Sequence, residues 1–335
     1  MSGKHQVVIT ANIFPGPVAE QAGLDVEKSI LAPLGADLVK RACSTEAELV
    51  EAGREADALL VGNVTITAEV IRQLPRCLAI VKPSVGVDNI DIDAATAAGI
   101  CVANVPDYGT DEVATHAMAL LLNAIRHIDA CAADVRAGVW QPKPPYPVRR
   151  SFGRTLGIIG FGRIGRSVAE KATGFGWRLL AWDPYIDESE MRRRGVEATD
   201  FDTLLAESDL VTLHLPLTEE THYLIDAAAL AKMKPTAILV NTARGGVVDS
   251  DALYRAVESG QIEGAALDVV DVEPPPPDHP LHRTDRILVT AHVAWYSQQA
   301  FEDLRVKAVE EVARVLRGEL PLNLLNPNVQ PKTVS

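Results

Sequence analysis

The sequence predicts an α/β protein with two domains, each a doubly wound parallel sheet covered by helices. Short apolar runs alternate with helical stretches along most of its 335 residues, and this alternation is typical of parallel sheets that are buried on both faces. A glycine-rich turn between a predicted strand and a predicted helix begins only near residue 160. A separate domain of ordinary size therefore fits ahead of that turn.

Five strand candidates divide the first hundred residues. They are Val7–Ala11, Ala36–Lys40, Ala58–Val61, Leu78–Lys82 and Ile100–Ala103. Helical stretches separate them, including Ala47–Ala52 and Ala68–Gln73, so we expect the strands to pair in parallel. This region has no phosphate-binding glycine loop, which predicts an α/β domain with a purpose other than nucleotide binding.

The longest helical pattern comes next, from Thr110 to Val135. Its apolar stripe at helical spacing consists of Val113, Ala117, Leu120, Leu121 and Ala124. We expect this helix to link the two halves of the chain or to pack against a partner. The proline-rich segment Gln141–Pro147 follows it and predicts a connector.

Six further strand candidates predict a second sheet. They are Leu156–Ile159, Arg178–Trp182, Leu210–Leu213, Ala237–Asn241, Gly264–Asp268 and Ile287–Thr290. Six parallel strands with helices between them match the count of a full dinucleotide-binding fold. The last segment, Gln298–Arg317, has amphipathic helical spacing, and we expect it to return and cover the N-terminal domain.

The glycine-rich turn has the context that dinucleotide binding requires. Gly160, Gly162 and Gly165 follow an apolar run, a helical stretch comes after them, and Asp183 ends the next apolar run. In this motif the first glycine permits the tight turn, the second admits a pyrophosphate and the third lets helix and strand pack closely. The free N–H groups of the helix start favour the phosphates. The sequence therefore predicts a bound dinucleotide rather than a bare turn.

Bulk composition disfavours several classes of function. The formal net charge of −13 argues against nucleic acid and anionic membranes as partners. No apolar stretch approaches the length of a membrane span, and the cysteines lack the spacing of metal ligands, so we expect no metal. The four cysteines are dispersed and the chain enters a strand almost at once, which predicts a reduced, cytoplasmic compartment.

Chemically reactive side chains follow three consecutive predicted strands. Arg244 comes after the strand that ends at Asn241, Asp268 ends the next strand, and His292 follows the last one. Glu273 lies five residues beyond Asp268. Ligands of open α/β sheets sit at these carboxyl ends. Hydride transfer to a carbonyl needs a proton donor, which a histidine beside a carboxylate provides, and an arginine can clamp a substrate carboxylate.

Each of these residues also has a structural interpretation. His292 fits a buried core histidine, Arg244 and Glu273 fit an ion pair without a catalytic role, and Asp268 fits a cap of the following turn. Their joint occurrence at consecutive strand ends favours the catalytic interpretation.

Over nearly its whole length, the chain resembles the D-isomer-specific 2-hydroxyacid dehydrogenases. The motifs that carry the resemblance are Gly86–Asp91, Asn104–Tyr108, Thr155–Gly165, His214–Thr218, Asn241–Gly246, Ala266–Val269 and Thr290–His292. The resemblance implies NAD as the cofactor and Arg244, Glu273 and His292 as the catalytic residues.

The resemblance also implies the cofactor contacts. It assigns the pyrophosphate to Arg163 and Ile164, the adenosine ribose to Asp183, and the nicotinamide amide to Asp268. The further cofactor-binding positions that it implies are Gly160, Gly162, Gly165, His214, Pro216, Thr221, Thr242 and Ala243.

The family's organisation implies two Rossmann-like domains with a cleft between them. Residues 1–103 and 297–335 would form a discontinuous, flavodoxin-like substrate-binding domain, and residues 104–296 the NAD-binding domain. Family members are usually homodimers with the long helix after Tyr108 near the interface, so we expect a homodimer.

The expected substrate is a small D-2-hydroxy acid or its 2-oxo partner. Lys82, Ser84, Val85 and Gly86 would hold its carboxylate together with Arg244. The Ser84–Gly86 stretch is similar to glyoxylate and hydroxypyruvate reductases, and the family also contains phosphoglycerate dehydrogenases, so these acids are alternatives to a bulkier apolar one.

Two aromatic residues favour the bulkier acid. Tyr108 precedes the long helix and Trp295 lies three residues past His292, and both would wall the side-chain end of a pocket. The alternative is that Trp295 only packs at the junction of the domains. Asp183–Tyr185 and Ala294–Ser297 are similar to the C-terminal-binding proteins, which are corepressors.

Those corepressors supply the second hypothesis, an NAD(H)-sensing interaction protein with weak or no turnover. The arginine, glutamate and histidine occur in both classes and do not separate them. A corepressor is expected to carry additional interaction segments that the sequence does not show, so we favour the enzyme.

Overall fold

The computed structural model describes residues 5–10, 23–141 and 147–332, which form two compact units. The first unit takes in the described residues up to Tyr108 and from Ser297 onward, and the second runs from Gly109 to Tyr296. Most of the connector predicted at Gln141–Pro147, and the last residue of the strand predicted at Val7–Ala11, lie outside the described residues. Within the described ranges, no helix combines the length and apolar character needed to cross a bilayer.

The first unit contains a five-stranded parallel sheet in the order β2-β1-β3-β4-β5. The strands are β1 (His5–Thr10), β2 (Ala36–Arg41), β3 (Ala58–Leu60), β4 (Ala79–Lys82) and β5 (Cys101–Asn104). This is the flavodoxin-like strand order, so the predicted fold of this unit is confirmed. Its helices are α1 (Asp25–Leu31), α2 (Glu46–Gly53), α3 (Ala68–Arg72) and α4 (Ile92–Ala97).

The second unit contains a seven-stranded parallel sheet in the order β12-β11-β10-β9-β6-β7-β8. The strands are β6 (Thr155–Ile159), β7 (Arg178–Trp182), β8 (Glu197–Ala198), β9 (Leu210–Leu213), β10 (Ile238–Asn241), β11 (Gly264–Leu267) and β12 (Ile287–Val289). The order reverses between β6 and β9, which is the switch point where dinucleotide folds bind their ligand. The prediction of six strands omitted β8, because a two-residue edge strand has no apolar run.

Seven helices of the second unit are described, and they cover both faces of its sheet. They are α5 (Thr110–Arg126), α6 (Ile128–Arg136), α7 (Arg163–Ala172), α8 (Glu188–Arg193), α9 (Phe201–Glu207), α10 (Ala227–Lys232) and α11 (Ser250–Glu258). Two apolar clusters form its core, centred on fully buried residues such as Leu213, Leu239, Phe161 and Ile158.

The prediction of one helix over Thr110–Val135 was wrong. His127 adopts a left-handed conformation with φ of 51° and separates α5 from α6. The side chain of Asn123 accepts a hydrogen bond from the Asp129 N–H at the start of α6, which helps fix the break. The apolar stripe of α5 ends at the buried Ile125, and α6 buries none of its residues.

The final helix, α12 (Gln298–Leu316), packs on α1 and on strands β3 and β4 of the first unit, as expected of the last amphipathic segment. The Ser297 hydroxyl accepts the Ala300 N–H and caps its start. A buried ion pair joins α12 to α1: Arg305 Nε and Nη2 donate to the Glu27 carboxylate at 2.6 and 2.7 Å. This bidentate arrangement satisfies two charges that burial alone would disfavour.

Candidate active site

Two glycines of the turn after β6 are required by the protein's own packing. Gly160 has a φ of 90°, and a Cβ there would lie 2.5 Å from the carbonyl oxygen of His214. A Cβ at Gly165 would lie 2.2 Å from the Gly160 oxygen. Both positions therefore exclude any larger side chain, and the turn leads directly into α7, which begins with Arg163 and Ile164.

Gly162 differs from its two neighbours in the motif. Its φ of −71° is open to any residue, and a Cβ there would meet no heavy atom within 4 Å among the described residues. No contact in the described protein explains a glycine at this position, whereas a pyrophosphate approaching the backbone would. The open space at the start of α7 therefore fits the phosphates of a dinucleotide.

Asp183 lies beside this turn after β7. Its Oδ2 accepts the Phe161 N–H at 2.7 Å and its Oδ1 accepts the Tyr185 N–H at 2.9 Å. These bonds fix the carboxylate next to the glycine turn, and each oxygen keeps a lone pair for a further donor. The Tyr185 hydroxyl donates to Glu220 at 2.9 Å. Asp183 is thus placed to accept hydrogen bonds from a ribose.

The next two strand ends contribute buried polar atoms. His214, after β9, holds Nε2 2.9 Å from the Thr212 hydroxyl, and burial lowers its pKa to about 3, so the ring is neutral. Among the described residues, His214 Nδ1 and the hydroxyl of Thr242 after β10 are buried without a hydrogen-bond partner. Buried polar atoms normally have partners, and these two fit contact with a bound cofactor.

The loop after His214 is closed by its own side chains. The Thr221 hydroxyl donates to the Pro216 carbonyl at 2.7 Å and accepts the Thr218 N–H at 2.8 Å. These two bonds fix the shape of the loop that carries Pro216 and Thr221. The contacts of both residues with the cofactor stay a prediction.

Arg244 is positioned by a side chain that the sequence reasoning did not single out. Fully buried Asn241 accepts the Ala243 N–H through Oδ1 and donates through Nδ2 to the Arg244 carbonyl. This clamp fixes the turn that follows β10. A Cβ at Gly245 would lie 1.8 Å from the Val270 oxygen, so the turn approaches the loop after β11 closely. The Arg244 charge accordingly reaches Glu273, whose pKa it helps to lower.

Glu273 and His292 form the predicted acid–imidazole pair. Glu273 Oε2 lies 2.7 Å from His292 Nδ1, and Glu273 Oε1 accepts the Val270 N–H at 3.1 Å. Burial raises the pKa of Glu273, but the hydrogen bond and charge of His292, the Val270 N–H and the Arg244 charge outweigh it and hold the pKa below its usual range. The His292 side chain is 47% exposed, so the interpretation as a buried core histidine is wrong.

Asp268 fastens the turn that carries His292. Its buried carboxylate accepts the Thr290 hydroxyl at 2.6 Å, the Val293 N–H at 3.0 Å and the Ala294 N–H at 2.8 Å. The Asp268 carbonyl accepts the His292 N–H at 2.8 Å. His292 has a φ of 53°, a conformation unusual for a residue other than glycine. These contacts are those expected of a residue that caps a turn, which was the structural interpretation of Asp268.

Apart from Arg244, the residues predicted to bind the substrate carboxylate lie in the first unit. Lys82 ends β4, is 9% exposed and donates to Asn89 Oδ1. Asn89 in turn donates to the Gly62 and Val64 carbonyls, so it orients the ammonium group. The loop from Ser84 to Gly86 is fixed by the Ser84 hydroxyl on the Gly86 carbonyl and by Asn104 Nδ2 on the Val85 carbonyl, both at 2.6 Å.

The two aromatic residues predicted to wall the pocket fall in different units. Tyr108 is half-buried in the first unit. Trp295 is half-buried in the second, where its ring meets Tyr296 edge-on at 5.5 Å and its backbone packs on Gly109. The assignment of both to a substrate pocket stays a prediction.

The fold and these strand ends match one family. Residues 118–294 match the model of the D-isomer specific 2-hydroxyacid dehydrogenase NAD binding domain. A D-3-phosphoglycerate dehydrogenase of Methanocaldococcus jannaschii is 41% identical over 288 residues, which is 85% of this chain and 55% of that protein. The chain belongs to the D-isomer-specific 2-hydroxyacid dehydrogenase family. It spans just over half the length of that phosphoglycerate dehydrogenase.

Two further proteins are similar to this chain over most of their own length. A glyoxylate reductase of Korarchaeum cryptofilum is 42% identical over 287 residues, covering 84% of this chain and 86% of that protein. A crystal structure of D-lactate dehydrogenase from Aquifex aeolicus, complexed with NAD and lactic acid, superposes with a TM-score of 0.83 at 29% identity, covering 96% of this chain and 99% of that one. These two similar proteins carry different substrate names.

Proposed function

We propose that this family member is an NAD-dependent oxidoreductase that interconverts a small D-2-hydroxy acid and its 2-oxo acid. The observation that carries the proposal is the contact of 2.7 Å between Glu273 and His292. It lies at the same carboxyl edge of one sheet as Arg244 and the glycine turn. A paired acid and imidazole with a nearby guanidinium is the set that carbonyl reduction needs.

Bound NADH would supply the hydride for reduction. His292 would donate the proton to the substrate oxygen through Nε2, because Glu273 holds Nδ1. Glu273 would stabilise the charged imidazole and fix the direction of its ring. Arg244 would bind the substrate carboxylate and polarise the carbonyl. In oxidation, neutral His292 would accept the hydroxyl proton.

Turnover of NADH with a panel of 2-oxo acids tests this proposal. We expect His292→Ala to lower kcat by about 10²–10⁴-fold, the usual contribution of general acid catalysis, while NADH affinity measured by fluorescence stays near that of the parent protein. His5→Ala is a matched control, because His5 lies 3.6 Å from the Asp57 carboxylate in the first unit. NADH binding without turnover of any acid would contradict the proposal and favour the corepressor-like alternative.

For the substrate we propose an acid with an apolar or aromatic side chain. Half-buried Trp295, which follows the turn of His292, supports this choice. The panel should therefore include phenylpyruvate and a branched 2-oxo acid beside glyoxylate, hydroxypyruvate and 3-phosphohydroxypyruvate. A higher kcat/KM for glyoxylate or for either of the last two acids would contradict this choice and leave the general proposal intact.

We also propose that NAD is preferred over NADP. Asp183 is fixed beside the glycine turn by the N–H groups of Phe161 and Tyr185. The Tyr185 hydroxyl donates to Glu220. A 2′-phosphate would therefore meet the charge of the Asp183 carboxylate, whereas a 2′-hydroxyl would find an acceptor.

Finally, we propose that the protein is a homodimer. Large apolar side chains are exposed on and just after α6, including Ile128 at 57%, Val135 at 54% and Trp140 at 86%. An exposed apolar surface that the described fold leaves uncovered is typical of an interface. The resemblance to a family of homodimers suggests a second copy of this chain as the partner at that surface.

A further inference from the structure

The turn that holds His292 is linked to a histidine on α5. His116 Nε2 lies 3.1 Å from the Thr290 hydroxyl oxygen and 3.6 Å from Asp268 Oδ1. Thr290 Oγ1 lies 2.6 Å from the same Asp268 oxygen. The three side chains therefore form a chain of contacts from α5 to the carboxylate that fastens the catalytic turn.

The direction of each hydrogen bond in this chain follows from the Asp268 carboxylate at its end, which acts as an acceptor. The Asp268 carboxylate already accepts the Val293 and Ala294 N–H groups, so it takes the Thr290 hydroxyl proton as a third donor. The Thr290 oxygen can then only accept from His116, which must carry its proton on Nε2. The chain is thus polarised from His116 through Thr290 to Asp268.

This arrangement bears on His292 through the backbone. His292 has a left-handed φ of 53°, which costs free energy unless its surroundings hold it. The Asp268 carbonyl accepts the N–H of residue 292, and the Asp268 carboxylate accepts the N–H groups of residues 293 and 294. Together they hold the backbone at His292 and directly after it. If the carboxylate turned, the segment and the ring of His292 would lose their fixed direction toward Glu273.

We propose that His116 is a positioning residue for the proposed reaction, which holds Asp268 through Thr290 and thereby keeps His292 in its proton-donating geometry. His116 touches neither His292 nor Glu273 in the described contacts. Its side chain is 24% exposed, so the hydrogen bond to Thr290 is shielded from most of the solvent. The proposal rests on the proposed dehydrogenase function.

Two replacements of His116 separate the hydrogen bond from simple packing. His116→Gln retains an N–H donor near the place of Nε2, whereas His116→Leu retains bulk without a donor. We expect kcat for 2-oxo acid reduction to fall by about 10-fold in His116→Leu, the worth of one hydrogen bond, and by no more than about 3-fold in His116→Gln. The substrate KM should change little, because His116 acts on the turn of His292 and not on the substrate carboxylate that Arg244 would bind. His5→Leu serves as the control.

A second pair of variants acts at the middle of the chain. Thr290→Val removes the hydroxyl at nearly constant shape, and Thr290→Ser keeps it. If the chain acts as a unit, His116→Leu combined with Thr290→Val should lower kcat no further than the more damaging single replacement. Should His116→Leu fail to fold, the Thr290 pair still tests the proposal: equal kcat in Thr290→Val and Thr290→Ser would overturn it.

Two readouts do not depend on turnover. A long-range ¹⁵N–¹H spectrum of the histidine rings should show His116 protonated on Nε2, and Thr290→Val should shift that signal. Amide exchange of Val293 and Ala294 should quicken in His116→Leu and not in His116→Gln. A proton on Nδ1 alone, equal losses of kcat in the two His116 variants, or multiplicative losses in the double variant would overturn the proposal. Absence of any turnover with these spectra intact would count against the dehydrogenase function instead.

Discussion

The pH dependence of reduction tests the Glu273–His292 pair most directly. Glu273→Gln keeps the size of the side chain and removes its charge 2.7 Å from His292 Nδ1. Two unit charges about 4 Å apart interact by about 1 kcal/mol in water and about 4 kcal/mol at an effective dielectric constant of 20. The side chains are 36% and 47% exposed, so solvent screening favours the lower part of that range, about 1–2 kcal/mol. That free energy corresponds to a displacement of about one pH unit.

The direction follows from the protonation state that each reaction needs. Reduction needs protonated His292, and the Glu273 charge favours that form, so the alkaline fall of kcat/KM should move to lower pH in Glu273→Gln. Oxidation needs neutral His292, so its acid-side rise should move to lower pH as well. The pKa of Glu273 lies below its usual range, so in the parent protein the carboxylate keeps its charge across a titration from pH 5 to pH 9.

The assay is kcat/KM in both directions over that range, with NADH or NAD and the preferred acid. Glu258→Gln is the matched control: Glu258 is half-exposed, lies 3.5 Å from Arg286 and ends α11, away from His292. A profile of Glu273→Gln that stays in place while kcat falls would show that Glu273 only orients the ring. A profile displaced to higher pH would refute the reasoning, because removal of a negative charge cannot favour the charged imidazole.

Two further predictions concern the cofactor and the assembly. Asp183→Asn should reduce the preference for NAD over NADP, measured as the ratio of kcat/KM values, by about 10-fold for one charge–charge contact, and a parent protein that uses both cofactors equally would contradict the assignment. Trp140→Gln should shift the solution mass from dimer toward monomer in light scattering, whereas Leu322→Gln, which replaces a 76% exposed residue of the first unit, should not; a monomeric parent protein would count against the interface.

Most strands could be predicted because each is a short apolar run with clear boundaries. Strands buried on both faces consist mostly of apolar residues, as in Ala79–Val81 or Ile238–Val240, and this pattern is readable from sequence. Two features of the fold do not show in this pattern, and both are local. The strand β8 is too short to show a pattern, and the break at His127 depends on backbone and side-chain hydrogen bonds within one turn.

The reactive side chains were predictable because they follow strand ends, where the topology gathers them. Arg244, Glu273 and His292 needed only the order of the strands and the chemistry of their side chains. The residues that orient them were not predictable in the same way. Asn241 clamps the turn of Arg244, and Asn89 similarly holds Lys82, but asparagine is common in turns of every kind. The sequence carries no signal that separates such a clamp from an ordinary loop residue.

His116 shows the same limit at long range. It lies 174 residues from Thr290 along the chain, on a helix that the sequence marks only by its apolar stripe. Only the fold brings that helix to the end of β12, where the buried Asp268 carboxylate needs hydrogen-bond donors.

The sequence left two interpretations of Asp268 open, as a cofactor contact and as the cap of a turn. They are compatible, because each carboxylate oxygen offers two lone pairs and Oδ2 accepts only the Ala294 N–H among the described contacts. A carboxylate that fixes the turn of His292 would already be rigid when a cofactor amide reached it, so the structural role would support the predicted cofactor contact rather than replace it.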